Sequence, residues 1–131
     1  VISPLIALIK DQVENLKNKG INALAIYSSM PYLEIKKTLQ NAAYGNYKFL
    51  YVSPERLETA LFLEYLPALN INLIAVDEAH CISQWGYDFR PAYLNIAKIR
   101  EQLQQASFFF GNNNKQEMLN LYNEVYHKFA S

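Results

Sequence analysis

The sequence has almost no cysteine, no excess of either charge and no long apolar run, and each absence removes a class of protein. A single cysteine, Cys81, rules out an internal disulfide and suits a reducing compartment. Twelve basic and twelve acidic residues cancel, which argues against a small basic protein that coats nucleic acid but leaves room for local basic contacts. No apolar run is long enough to cross a bilayer, and the opening Val1-Ile2-Ser3-Pro4 does not read as a secretory leader. It carries no initiator methionine and reads as a strand already under way, so the expectation is that Val1 lies inside a longer protein. The 131 residues suffice for one modest core.

What is present alternates. Val1-Ile2 reads as a strand end and Ser3-Pro4 as a helix start, with Ser as N-cap and Pro in the first turn. Leu5, Ile9, Val13 and Leu16 recur at helical spacing until Gly20. Residues 21–26 suit a strand; Ser29 and Pro31 open a helix carrying Leu33, Ile35, Leu39 and Ala42, closed by Gly45. Residues 49–52 form a short buried strand, and Ser53-Pro54 repeats the junction into a helix through about Leu66. Residues 71–76 are continuously apolar, as in a strand covered on both faces. A loop runs to about Phe89, and a helix spans Pro91 to about Leu103. The alternation predicts an α/β, three-layer fold, a mainly parallel sheet flanked by helices.

The chain divides into residues 1–103 and a tail, 104–131. In the tail, Ser107-Phe108-Phe109-Phe110 is apolar and residues 111–114 read as a turn. Residues 115–129 read as an amphipathic helix with Met118, Tyr122, Val125 and Phe129 on one stripe, a packing face rather than a site.

The chemistry concentrates after residue 76. Ligands of parallel sheets bind beyond the carboxyl ends of strands, and Asp77-Glu78 sits at such an end. Adjacent carboxylates emerging from an apolar strand are costly unless a cation meets them. Hydrated magnesium is a suitable partner: Asp77 can hold it, and Glu78 can orient or deprotonate an attacking water in phosphoryl transfer. Taken alone, the pair fits a helix cap equally well. The tetrapeptide Asp77-Glu78-Ala79-His80 shifts that balance, since chance would produce it in on the order of one in a thousand chains this long. Behind it, Trp85, Tyr87, Phe89 and Arg90 alternate along a loop, offering stacking platforms for unpaired bases and a phosphate contact, or else plugs for the core edge.

Together these residues resemble a known family. Asp77-Glu78-Ala79-His80 resembles the Walker B element of superfamily 2 helicases, where the histidine links the nucleotide and nucleic-acid sites. Ser83-Gln84-Trp85-Gly86, then Asp88-Phe89-Arg90-Pro91 and Tyr93, is similar to the aromatic-rich loop of RecQ helicases, which senses single-stranded DNA. Tyr87 stands where that family usually has His; it can stack or donate a hydrogen bond but cannot gain a proton near neutral pH, so a role needing imidazole is not expected to carry over. Residues 1–13 resemble motif Ia and residues 51–57 motif Ib, whose helix starts suit phosphate oxygens.

The resemblance implies part of a RecA-like P-loop NTPase lobe from an ATP-dependent 3′-to-5′ DNA helicase that uses ATP and Mg2+ and acts on single-stranded or forked DNA. The implied catalytic and nucleotide-side residues are Asp77, Glu78 and His80, with Asp77 as the metal ligand. The implied DNA-side residues are Ser3, Lys10, Ser53, Arg56, Trp85, Phe89 and Arg90. The implied placement is inside the cell, in the nucleoid or cytoplasm of a bacterium or the nucleus of a eukaryote, with no membrane partner. No Gly-x-x-x-x-Gly-Lys-Thr/Ser phosphate loop and no Thr-Ala-Thr motif occurs in the chain, so the 131 residues alone are expected not to hydrolyse ATP. Two further readings stand beside this one: a truncated, non-catalytic relic that still binds nucleic acid, and an unrelated hydrolase with a metal on Asp77, Glu78 and His80.

Overall fold

The computed structural model describes residues 1–82 and 89–110. Among these described residues four strands and four α-helices alternate: α1 (Ile6–Asn18), β1 (Ala23–Ile26), α2 (Tyr32–Tyr44), β2 (Phe49–Val52), α3 (Ala60–Tyr65), β3 (Leu73–Val76), α4 (Leu94–Gln102) and β4 (Ser107–Phe110). β1 pairs with β2 and β3 with β4, both in parallel. Ile2 joins the pairs by bridging Val52 on one side and Val76 on the other. The sheet therefore runs β1, β2, the Ile2 segment, β3, β4, all parallel. This is the expected partial RecA-like layout, with helices supplying the outer layers.

Strand alternation divides the core. Ala23, Phe49 and Tyr51 pack with Ile9, Val13 and Leu16 of α1. Ile2, Ile26, Val52, Ile74 and Val76 form the opposite face, with Ile35 and Leu39 of α2, Leu57, Phe62, and Ile96 and Ile99 of α4. Successive residues of β2 thus serve opposite faces, so substituting either Tyr51 or Val52 disturbs only one layer. Gly20, just past α1, has φ 80°, a left-handed value that favours glycine and lets the chain turn sharply into β1.

Several local expectations change. α1 begins at Ile6, because Ser3 continues the strand: its N–H bonds the Val52 carbonyl at 3.1 Å. Leu5 of the expected apolar stripe is exposed, whereas Ile9, Val13 and Leu16 are buried. The single helix expected after Ser53 is three pieces, a 3-10 turn Pro54–Glu58, α3, and a second 3-10 turn Leu66–Leu69. Thr59 breaks it by adopting extended geometry and capping α3, its hydroxyl accepting from Phe62 N–H. Ser107–Phe110, read from sequence only as apolar, is β4, in register with β3. The aromatic stretch 83–88 and the expected helix 115–129 lie outside the described residues.

Candidate nucleotide and nucleic-acid site

Strand register assembles the site. Asp77 N–H bonds the Ile2 carbonyl at 2.8 Å, and Ser53 N–H bonds the Ile26 carbonyl at 3.0 Å. Continuing the pairings of Ile2 with Val52 and Val76 sets Ser53, Ser3 and Asp77 side by side at the carboxyl ends of three neighbouring strands. In-register residues of a parallel sheet share a face, so these three make one polar row. All are buried, at 1%, 2% and 5% exposure respectively. Those values keep the two serine hydroxyls from reaching a ligand in bulk solvent. Ser3 Oγ accepts from Leu5 N–H and also hydrogen-bonds the Asp77 carboxylate. Ser53 Oγ has no hydrogen-bond partner among the described residues.

Burial raises the pKa of Asp77 above the ordinary carboxylate range, while the Glu78 N–H, the Ser3 hydroxyl and the His80 charge pull it back. The Glu78 N–H donates to Asp77 Oδ1 at 2.9 Å. Raised by desolvation, this carboxylate is one that a cation would stabilise. Among the described residues no three His, Cys, Asp or Glu side chains converge to hold a metal. The donor set therefore suits magnesium held by one carboxylate, waters and phosphates, and offers no cage for zinc; the three-ligand hydrolase centre on Asp77, Glu78 and His80 is not formed.

Glu78 has φ 55°, a left-handed backbone that a non-glycine residue adopts at a cost of about 1–2 kcal/mol. Its carboxylate Oε2 lies 3.3 Å from His80 Nε2, which in turn is 3.8 Å from Cys81 Sγ. The chain then turns through a 3-10 segment, Ala79–Ile82, and the Arg90 N–H bonds the Cys81 carbonyl at 2.9 Å, closing the base of the aromatic loop. Phe89 is half-buried and Arg90 exposed. Trp85 lies outside the described residues.

The basic residues of the two serine-proline elements converge on one loop. Lys10 Nζ sits 5.1 Å from the Tyr27 ring centroid. Arg56 donates from Nε to the Tyr27 carbonyl at 3.3 Å, and from Nη2 to the carbonyls of Ser28 and Met30. Arg56 is thus a clamp on the segment between β1 and α2, a role that its fork of donors allows and its sequence position did not announce.

Tyr93 and Asn95 were missed as site residues. Tyr93 is fully buried and donates its hydroxyl to the Asp77 carbonyl at 2.9 Å. Burial pushes the phenol well above its usual pKa and keeps it a donor. Buried Asn95 donates to Glu58 Oε2 at 3.3 Å. A cavity of about 290 Å³ opens elsewhere, with Phe49, Leu50, Leu73 and Ile74 of the amino-terminal strand halves in its lining, so it is not this site.

Comparison with known proteins agrees with this geometry. The family model for the DEAD/DEAH box helicase matches residues 1–117. The chain is 50% identical over 103 residues to the ATP-dependent DNA helicase RecQ of Bacillus subtilis, covering 79% of this chain and 17% of that protein. It is 44% identical over 100 residues to RecQ of Pasteurella multocida, covering 76% and 16%. It is 41% identical over 104 residues to the ATP-dependent helicase wrn-1 of Caenorhabditis elegans, covering 78% and 10%. The chain spans about a sixth or less of the length of these relatives. No helix among the described residues is long and apolar enough to cross a membrane.

Proposed function

Because this chain belongs to the DEAD/DEAH box helicase family and is RecQ-like within it, we propose that it forms the middle of the first motor lobe of an ATP-dependent DNA helicase. The observation that carries the reading is Asp77, a desolvated carboxylate at the carboxyl end of a central strand, followed by Glu78 in a strained left-handed conformation. Backbone strain at a polar residue beside a buried charge is typical of sites where geometry serves chemistry.

In this reading Asp77 is the residue that would hold Mg2+ beside the ATP phosphates. The ion's contribution is to neutralise charge that develops on the transferring phosphoryl group. Glu78 orients the attacking water and takes its proton. His80, in contact with Glu78, carries the state of the nucleotide site toward DNA. On the DNA side, exposed Lys10 meets phosphate, and the segments after Ser3 and Ser53 present backbone to the same strand. Arg56 shapes the adjoining loop, while Trp85, Phe89 and Arg90 meet unpaired bases and phosphate. The substrate is single-stranded or forked DNA, translocated 3′ to 5′, inside a reducing compartment where Cys81 stays a thiol.

The test is Trp85→Ala in a full-length helicase carrying this segment. The stimulation of ATP turnover by single-stranded DNA should fall further than the DNA-free rate; an equal loss of both would assign Trp85 to packing.

A further inference from the structure

We infer that Tyr93 and Asn95 are positioning residues that form a two-ended brace, tying the strand end at Asp77 to the 3-10 turn Pro54–Glu58. This inference rests on the helicase reading above and adds two residues to it. Tyr93 ends the 3-10 turn Pro91–Tyr93 and Asn95 lies in the first turn of α4, so a short rigid stretch carries both. One end bonds the Asp77 carbonyl from within the core at 2.9 Å. The other bonds the Glu58 carboxylate at 3.3 Å. Tyr93 N–H returns to the Arg90 carbonyl at 3.0 Å, and Arg90 N–H to the Cys81 carbonyl, so Cys81 and Arg90 are both tied to the same stretch.

The packing gives the brace leverage. Leu57 of the Pro54–Glu58 turn is buried in the same core cluster as Tyr93, Ile96 and Ile99. A shift of Phe89 and Arg90 on meeting DNA therefore cannot move α4 alone. It must move the Pro54–Glu58 turn with it, or tilt the carbonyl of Asp77, or break either the buried Tyr93–Asp77 hydrogen bond or the half-buried one from Asn95 to exposed Glu58. Breaking either would leave a polar group of buried Tyr93 or Asn95 without its partner, which favours concerted motion. Simple core filling would need neither polar group: a Phe at 93 and a Leu at 95 would fill similar volumes.

The experiment compares ATP turnover with and without oligo-dT in a full-length helicase carrying this segment, for Tyr93→Phe, Asn95→Leu, their double variant, and the exchange pair Asn95→Asp with Glu58→Gln, which reverses the donor. Asn95→Leu is expected to keep DNA-free turnover within about twofold and to lower dT stimulation by about fivefold or more, the lower end of ordinary coupling between sites. The double variant should be no worse than the worse single, as for two ends of one device. The exchange pair should recover most of the stimulation. Intact stimulation in Asn95→Leu overturns the brace, as does a fall of both rates in step with the thermal midpoint. If the parent shows no dT stimulation at all, the helicase reading fails and takes the brace with it, a result distinct from a stimulated parent with indifferent variants.

Discussion

Glu78 faces His80 across 3.3 Å while its own backbone sits at φ 55°. The pair places the expected water-orienting carboxylate and the expected relay histidine in contact within one turn, and the turn exists only because residue 78 accepts a left-handed conformation. Asn70, the other non-glycine residue with positive φ among the described residues, is of a type that tolerates it; glutamate is not.

That strain reverses a familiar order of stability. At most positions glycine is less stable than alanine. At position 78, Glu78→Gly should exceed Glu78→Ala in folding stability by about 1 kcal/mol, because glycine adopts the left-handed region without penalty. Urea unfolding of the two variants of the chain measures the difference; alanine equal to or above glycine would mean the backbone is not strained there.

Burial of Asp77 sets a pH trend. Its raised pKa means the native state holds the extra proton just above 3.8, and stability falls as pH rises through that range. Asp77→Asn should flatten that slope in urea unfolding followed across pH. An unchanged slope would show that the carboxylate is hydrated.

The clamp and the cation beside it should separate cleanly. Arg56→Ala removes donors to three carbonyls and should lower stability by about 1 kcal/mol or more, the partial exposure of the side chain limiting the loss. Lys10→Ala should cost less, no more than about 0.5–1 kcal/mol for its exposed contact with the Tyr27 ring. In a full-length helicase carrying this segment it should reduce the salt slope of single-stranded DNA binding by about 0.7, one phosphate contact. A stable Arg56→Ala protein that loses the salt slope instead would make Arg56 the phosphate ligand.

Much of the sheet was legible because its strands are short apolar runs bounded by Asn, Gly or Ser-Pro, and Phe49–Val52 emerges with those limits. The acidic motif was legible because four residue types fall together at a strand end. Other features depend on information that no local pattern carries. Ser3 looked like a helix cap, yet its neighbours Val52 and Asp77 lie far along the chain and extend the strand by one residue. The polar row of Ser53, Ser3 and Asp77 exists only through register. Thr59 interrupts a helix because its own hydroxyl competes for the backbone, a choice that apolar periodicity does not register. Tyr93 stood in the sequence as one aromatic of the loop motif and Asn95 carried no signal, yet both are buried and bonded at opposite ends.

In the proposed function Asp77 and Glu78 serve ATP hydrolysis in a DNA-driven motor. The most direct measurement is ATP turnover and nucleotide binding of Glu78→Gln, with single-stranded DNA present, in a full-length helicase carrying this segment. Turnover should fall by about a hundredfold or more, the scale of a lost general base, with nucleotide affinity nearly unchanged. Turnover close to that of the parent would remove Glu78 from the chemistry and contradict the account.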